Sequence, residues 1–270
     1  TGKLLVQTTG AVSFDGNLSA QTQSAITLGS NVSSTGSQTY GAPVTLSGGN
    51  RTLTGTLINT SSTLAGASNA LTIAGNLQTG GAYTGLSSLS VAGTTNLGGN
   101  VSTSGAQTYS GAMTVNASST LSGSGLSLAA VDVGSNTLTV NEAGTGAISG
   151  VVSGAGALTK TGAGTLTLSN TNTFAGGVTV NAGVLKISAD SNLGAEPVTA
   201  DADALTLNGG ILQVTADTTL ARTRGTLLGS SGGTFSIDPS VTLNYAGAIV
   251  GTGRLTKLAG GTLVLGGNNT

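Results

Sequence analysis

Three tyrosines, two lysines and a pair of aspartates are the residues in this chain whose type and spacing could do chemistry. Tyr40, Tyr83 and Tyr109 each sit in a glycine-rich context, two of them within Gln-Thr-Tyr. Tyrosines presented in register could stack on sugar rings, because the ring face is apolar while the hydroxyl stays wet. The plainer alternative is a ring packed over a corner of the chain. Lys160 and Lys257 occupy equivalent places in a repeated segment. They would form a periodic cationic row for an acidic polysaccharide, or serve as solvated strand-end residues that blunt edge pairing. Asp201 and Asp203 share one face if their segment is extended. With Asp190, Glu196 or Asp217 they could offer calcium its oxygen ligands. However, the EF-hand loop and the glycine-aspartate nonapeptide are both missing, so ordinary solvated loop acids are the simpler reading. No spacing favours paired carboxylates for glycoside cleavage. No catalytic residue, cofactor ligand or metal ligand is therefore assigned.

What the chain lacks narrows the chemistry further. It contains no Cys and no His among its 270 residues. Disulfides, thiolate chemistry, ordinary zinc sites and His-activated nucleophiles are excluded. Charged residues make up 6% and net charge is −1, against about 25% charged residues in ordinary domains. No broad electrostatic footprint for nucleic acid or an anionic membrane exists. No apolar run reaches the roughly 20 residues that span a bilayer. The segment opens without Met or a charged-then-apolar leader, so any signal peptide is expected to lie outside it.

The elements that must position these residues have a local period of two. In Gly164-Thr-Leu-Thr-Leu168, Leu166 and Leu168 share one face and Thr165 and Thr167 the other. The same alternation runs through Val178 and Val180, Leu185 and Ile187, Leu205 and Leu207, Leu212 and Val214, and Leu243 and Tyr245. These segments predict strands of about 4 to 6 residues, separated by Gly, Asn and Ser turns. Helical spacing is absent, so the chain is expected to be all-β. Small β-branched and Leu residues at recurring inward positions stack well in a solenoid, and turn Asn and Thr can form hydrogen-bonded ladders along the stack. A propeller would need a longer blade repeat with an aromatic signature. About 12 coils are expected.

Two families of internal repeat support that reading. Asn31 to Leu46 (NVSSTGSQTYGAPVTL) recurs at Asn100 to Val115 (NVSTSGAQTYSGAMTV), an offset that suggests three rungs of about 23 residues. Gly154 to Gly177 (GAGALTKTGAGTLTLSNTNTFAGG) recurs from Gly251 (GTGRLTKLAGGTLVLGGNNT). On these residues, Gly154 to Gly194 resembles the autotransporter-associated β-strand repeat of bacterial passenger regions. Residues 1–140, with their GxQTY segments, resemble large filamentous-haemagglutinin-like exoproteins, and residues 141–270 carry the autotransporter-type repeats, continuous with the first. The resemblance implies a right-handed parallel β-helix, secreted and displayed on the surface of a Gram-negative bacterium, and transfers no catalytic residue. Because Thr270 falls within a recognisable unit, the segment is expected to be part of a longer array.

Three functions are compatible with these features. The favoured one is an extracellular structural or adhesive filament that attaches to host-cell or biofilm polysaccharide, or self-associates. A solenoid polysaccharide-degrading enzyme would need a cluster of acids, which nine scattered carboxylates do not supply. A passive spacer for a domain elsewhere is the third.

Overall fold

A computed structural model describes residues 3–6, 10–21 and 24–270. Among them are 35 short strands, one 3-10 turn at Asp190–Leu193 and no α-helix. Among the described residues no helix is long and apolar enough to cross a membrane. The strands pair in parallel, each with its counterpart one coil on, and the fold is a parallel β-solenoid. Compactness divides the chain at Ala130/Val131 into two units.

In the first unit the coils present strand segments on three faces, the second and third being run together in the single strands Arg51–Thr60 and Leu71–Thr79. The first face is built by Lys3–Val6, Ala25–Leu28, Val44–Leu46, Leu64–Ala65, Tyr83–Leu86, Val101–Thr103 and Ser119–Gly123, which makes seven coils. In register, Ile26 lies against Val44, Val44 against Leu64, Leu64 against Tyr83, and Tyr83 against Val101. Each of these coils is therefore shorter than the rung that the sequence repeat suggested. The alternation puts the apolar member inside. Ile26, Leu28, Val44, Leu46, Leu53 and Ile73 are all buried, each worth about 1.5–3 kcal/mol of removed apolar surface.

One corner shows why glycine recurs at coil spacing. Gly36, Gly55, Gly75, Gly93 and Gly111 stack in one file between the second and third faces. A Cβ on Gly75 would stand 1.9 Å from the Gly55 carbonyl oxygen, and one on Gly93 would stand 2.6 Å from that of Gly75. Successive backbones approach too closely there for any side chain.

In the second unit the first face is formed by Thr137–Glu142, Ala157–Thr161, Val178–Val180, Asp201–Leu207, Arg224–Leu228 and Ile249–Gly251, six coils. Coil length is more variable. Leu158 lies against Val178, but Val178 lies against Leu205, a longer step along the chain. The additional residues hold the 3-10 turn and an exposed loop through 195–200. The two units together hold 13 coils, in line with the expectation.

The expected ladders at the turns are present. The side-chain oxygens of Asn31, Asn50, Asn76 and Asn100 accept N–H bonds of 2.8–2.9 Å from Thr52, Ala70, Thr94 and Thr120, each one coil later. In the second unit Asn172 and Asn192, both buried, stack in place of a strand: Asn172 Nδ2 donates to the Asn192 carbonyl at 2.7 Å.

The sequence repeats do not mark whole coils, and the three-rung reading is corrected. Gln38 stacks under Ile58, Leu77, Thr95 and Met113 on the third face. Gln107, its counterpart in the second copy of the repeat, stacks with Leu89, Leu71 and Arg51 on the second. The offset is three coils and two further faces. In the same way Lys160 lies on the first face, between Val140 and Val180, whereas Lys257 lies on the second against Phe235. The repeating module is one strand with its turn. Any of three similar faces can accept it.

Candidate functional site

The glycan-stacking expectation for Tyr40, Tyr83 and Tyr109 is corrected by their position. Their exposures are 0%, 0% and 1%, so no ring face is open to a sugar. In Gln-Thr-Tyr the first and third side chains share the inward face. The Tyr40 hydroxyl donates to Gln38 Oε1 at 2.7 Å, and Gln38 Nε2 donates to the carbonyls of Val32 and Thr54 at 3.2 and 2.7 Å. Tyr109 repeats the device: its hydroxyl donates to Gln107 Oε1 at 2.9 Å, and Gln107 Nε2 reaches the Ser122 carbonyl at 2.8 Å. Tyr83 pairs with the Thr60 hydroxyl at 2.7 Å. The motif is a polar lock that satisfies carbonyls turned inward where the chain bends between faces. Desolvation raises all three phenols well above the ordinary tyrosine range.

The lysine row is also absent. Lys160 is 0% exposed, and its Nζ donates to the carbonyls of Thr161, Gly162 and Ala182 at 2.6, 2.7 and 3.3 Å. Burial lowers its pKa to about 8, with buried Glu142 acting in the opposite sense. Lys257 is exposed, on a different face, and donates to the Ala259 carbonyl. A lysine that expects solvent on sequence grounds is drawn inside because a coil corner supplies three acceptors.

The carboxylates divide into a structural pair and a surface loop. Asp190 Oδ1 accepts from Arg224 Nε at 2.9 Å. Arg224, 1% exposed, also donates to the carbonyls of Leu193, Gly194 and Ala195 at 3.0–3.2 Å. The guanidinium thus staples the long coil. The sequence offers no spacing signal for that role, because the two partners are far apart in the chain. Asp201 and Asp203 are neighbours, and their mutual hydrogen bond and repulsion raise the Asp203 carboxyl. Asp201, with Glu196 and Pro197, borders a cavity of about 460 Å³ beneath the exposed loop, which Asp203 does not line. Among the described residues no group of three or more His, Cys, Asp or Glu is close enough to hold a metal ion.

What reaches solvent is mainly neutral and polar. In the first unit the second face presents the file Thr52, Thr72, Ser90, Thr108 and Ser127, one residue per coil. The third face presents Thr39, Asn59, Gln78, Asn96 and Thr114. Neighbours in each file stand about 4.8 Å apart, the spacing of paired strands. Such a surface can make many weak hydrogen bonds along a polymer and supplies no acid–base couple.

These features agree with the comparisons to known proteins. Residues 158–187 match a family model described as passenger-associated-transport-repeat. That span covers the stacked strand pairs Leu158/Val178 and Leu166/Leu185. The chain is 37% identical over 119 residues to a protein named "Adhesin BmaC autotransporter" from Brucella suis biovar 1 (strain 1330). The match covers 41% of this chain and 3% of that relative's length. No solved structure matches. The passenger repeat and the autotransporter adhesin relative indicate secretion to the surface of a Gram-negative bacterium. Residues 158–187 carry a passenger-associated transport repeat, and together with the adhesin relative they mark an autotransporter passenger repeat region within this chain.

Proposed function

We propose that this chain is a non-enzymatic, adhesive or structural segment of a secreted surface protein. The observation that carries the reading is the division of its polar groups. Tyrosines, Lys160, Glu142 and Arg224 are spent inside, while the outward files of the first unit are hydroxyls and amides. Hydroxyl and amide files suit a hydrated polysaccharide or a second copy of the same surface, and the adhesin relative supports attachment as the role. The test is binding of the purified chain to a glycan array and to cells. Thr72 and Thr108 are both replaced by Glu, to place charge in one outward file without touching the core. Saturable binding lost in that variant supports adhesion through this file. Binding that survives the charges refutes adhesion through this file, and no binding by the parent leaves a spacer as the role.

A further inference from the structure

Among the described residues, the first unit holds a cation with no counter-ion. Arg51 is 8% exposed and lies at the corner between the first and second faces. Its Nε donates to the Leu28 carbonyl at 3.1 Å and Nη1 to the Asn50 carbonyl at 2.6 Å, while Nη2 reaches the Ser47 carbonyl. A guanidinium carries five N–H donors, so two have no partner among the described residues. All three acceptors are neutral. The one salt bridge found among the described residues is between Arg224 and Asp190. A buried charge without an opposite charge is costly, and Arg51 is compensated only by backbone dipoles.

Arg51 lines a cavity of about 260 Å³ whose other walls are Gly10, Ala11, Gly29, Ser30, Asn31 and Asn50, drawn from three successive coils. Asn31 and Asn50 turn their side-chain oxygens to the N–H groups of Thr52 and Ala70, both at 2.9 Å. That assignment leaves their amide NH₂ groups as the donors these side chains offer. A planar, always-charged fork flanked by amide donors is the arrangement that recognises oxyanions. We propose that this corner binds an oxyanion, the carboxylate or sulfate of an acidic sugar or the free inorganic ion. The site does not depend on the adhesive reading, since a chain that binds no cell could still hold an anion here.

The test is calorimetric titration of the whole 270-residue chain with digalacturonate, inorganic sulfate and neutral galactobiose. Asn50→Asp retains the oxygen that accepts from Ala70 and replaces the donor NH₂ with negative charge, so it should fold as the parent does while repelling an anion. Arg51→Met removes the cation, and circular dichroism reports whether each variant is folded. Saturable binding of an anionic probe, weakened tenfold or more in Asn50→Asp and absent for galactobiose, is expected. Tighter digalacturonate than sulfate identifies a sugar acid as the occupant, and the reverse identifies a free ion. No saturable binding of either anion, or equal binding by folded Asn50→Asp, overturns the proposal.

Discussion

Replacing Leu166 with aspartate puts the stacking argument to its strictest test. Leu166 is 0% exposed and lies in register between Gly146 and Leu185 on the second face. Truncating such a leucine costs about 2–5 kcal/mol from lost transfer energy and the cavity left behind. A carboxyl adds the cost of a buried polar group without a partner, roughly 2–7 kcal/mol before relaxation. Together they should lower the urea midpoint of the chain, followed by circular dichroism, by about 1 M or more at ordinary slopes. The pH dependence has a defined sign. Burial raises the folded-state pKa of the new carboxyl above its unfolded value of about 3.9. The folded state then binds the proton more tightly, so the deficit of Leu166→Asp should shrink as pH falls from 7 to 5. The control is Thr167→Asp, one residue along on the outward side and beside Lys186, which should cost less than about 1 kcal/mol. A Leu166→Asp chain with the parent's midpoint, or a Thr167→Asp chain that falls as far, would refute the inward assignment and the stacking model with it.

Other perturbations address the interior separately. Gly75→Ala should destabilise the first unit by several kcal/mol, because its Cβ would collide with the Gly55 carbonyl; a parent-like urea midpoint would contradict the corner file. Tyr109→Phe leaves Gln107 Oε1 without its donor, at a cost of about 1–3 kcal/mol, and equal stability of the two proteins would show the lock to be inert. Lys160 has a folded-state pKa near 8, below its unfolded value. The unfolded chain therefore holds more protons between pH 8 and 9.5, and parent stability should rise across that window by on the order of 1 kcal/mol. Urea midpoints of Lys160→Met should lack that rise; an identical pH profile for both proteins would place the ammonium in solvent.

Much of the architecture follows from the sequence alone. The apolar-polar alternation of segments such as Thr165–Leu168 determines an all-β chain and says which side chain of each pair is inside, since strand geometry has a period of two. Asn31, Asn50 and Asn100 at turns announce the ladders, because their side-chain oxygens can reach the next coil only if coils stack in parallel. The repeated Gly-x-Leu-Thr-Lys segment is specific enough to point to an autotransporter passenger. Tertiary structure alone decided which face each module occupies. That position is the running sum of many turn lengths, so Gln38 and Gln107, or Lys160 and Lys257, carry the same local pattern on different faces. It also decided the fate of the polar residues. Tyr40, Lys160 and Arg224 look solvated by type, yet each is held inside by a set of acceptors that local residues only begin: Gln38 beneath Tyr40 reaches the Thr54 carbonyl, Lys160 reaches that of Ala182, and Arg224 reaches Asp190. Side-chain polarity is local, but the set of buried acceptors is completed by neighbours about a coil or more away along the chain, and no short stretch of sequence records those.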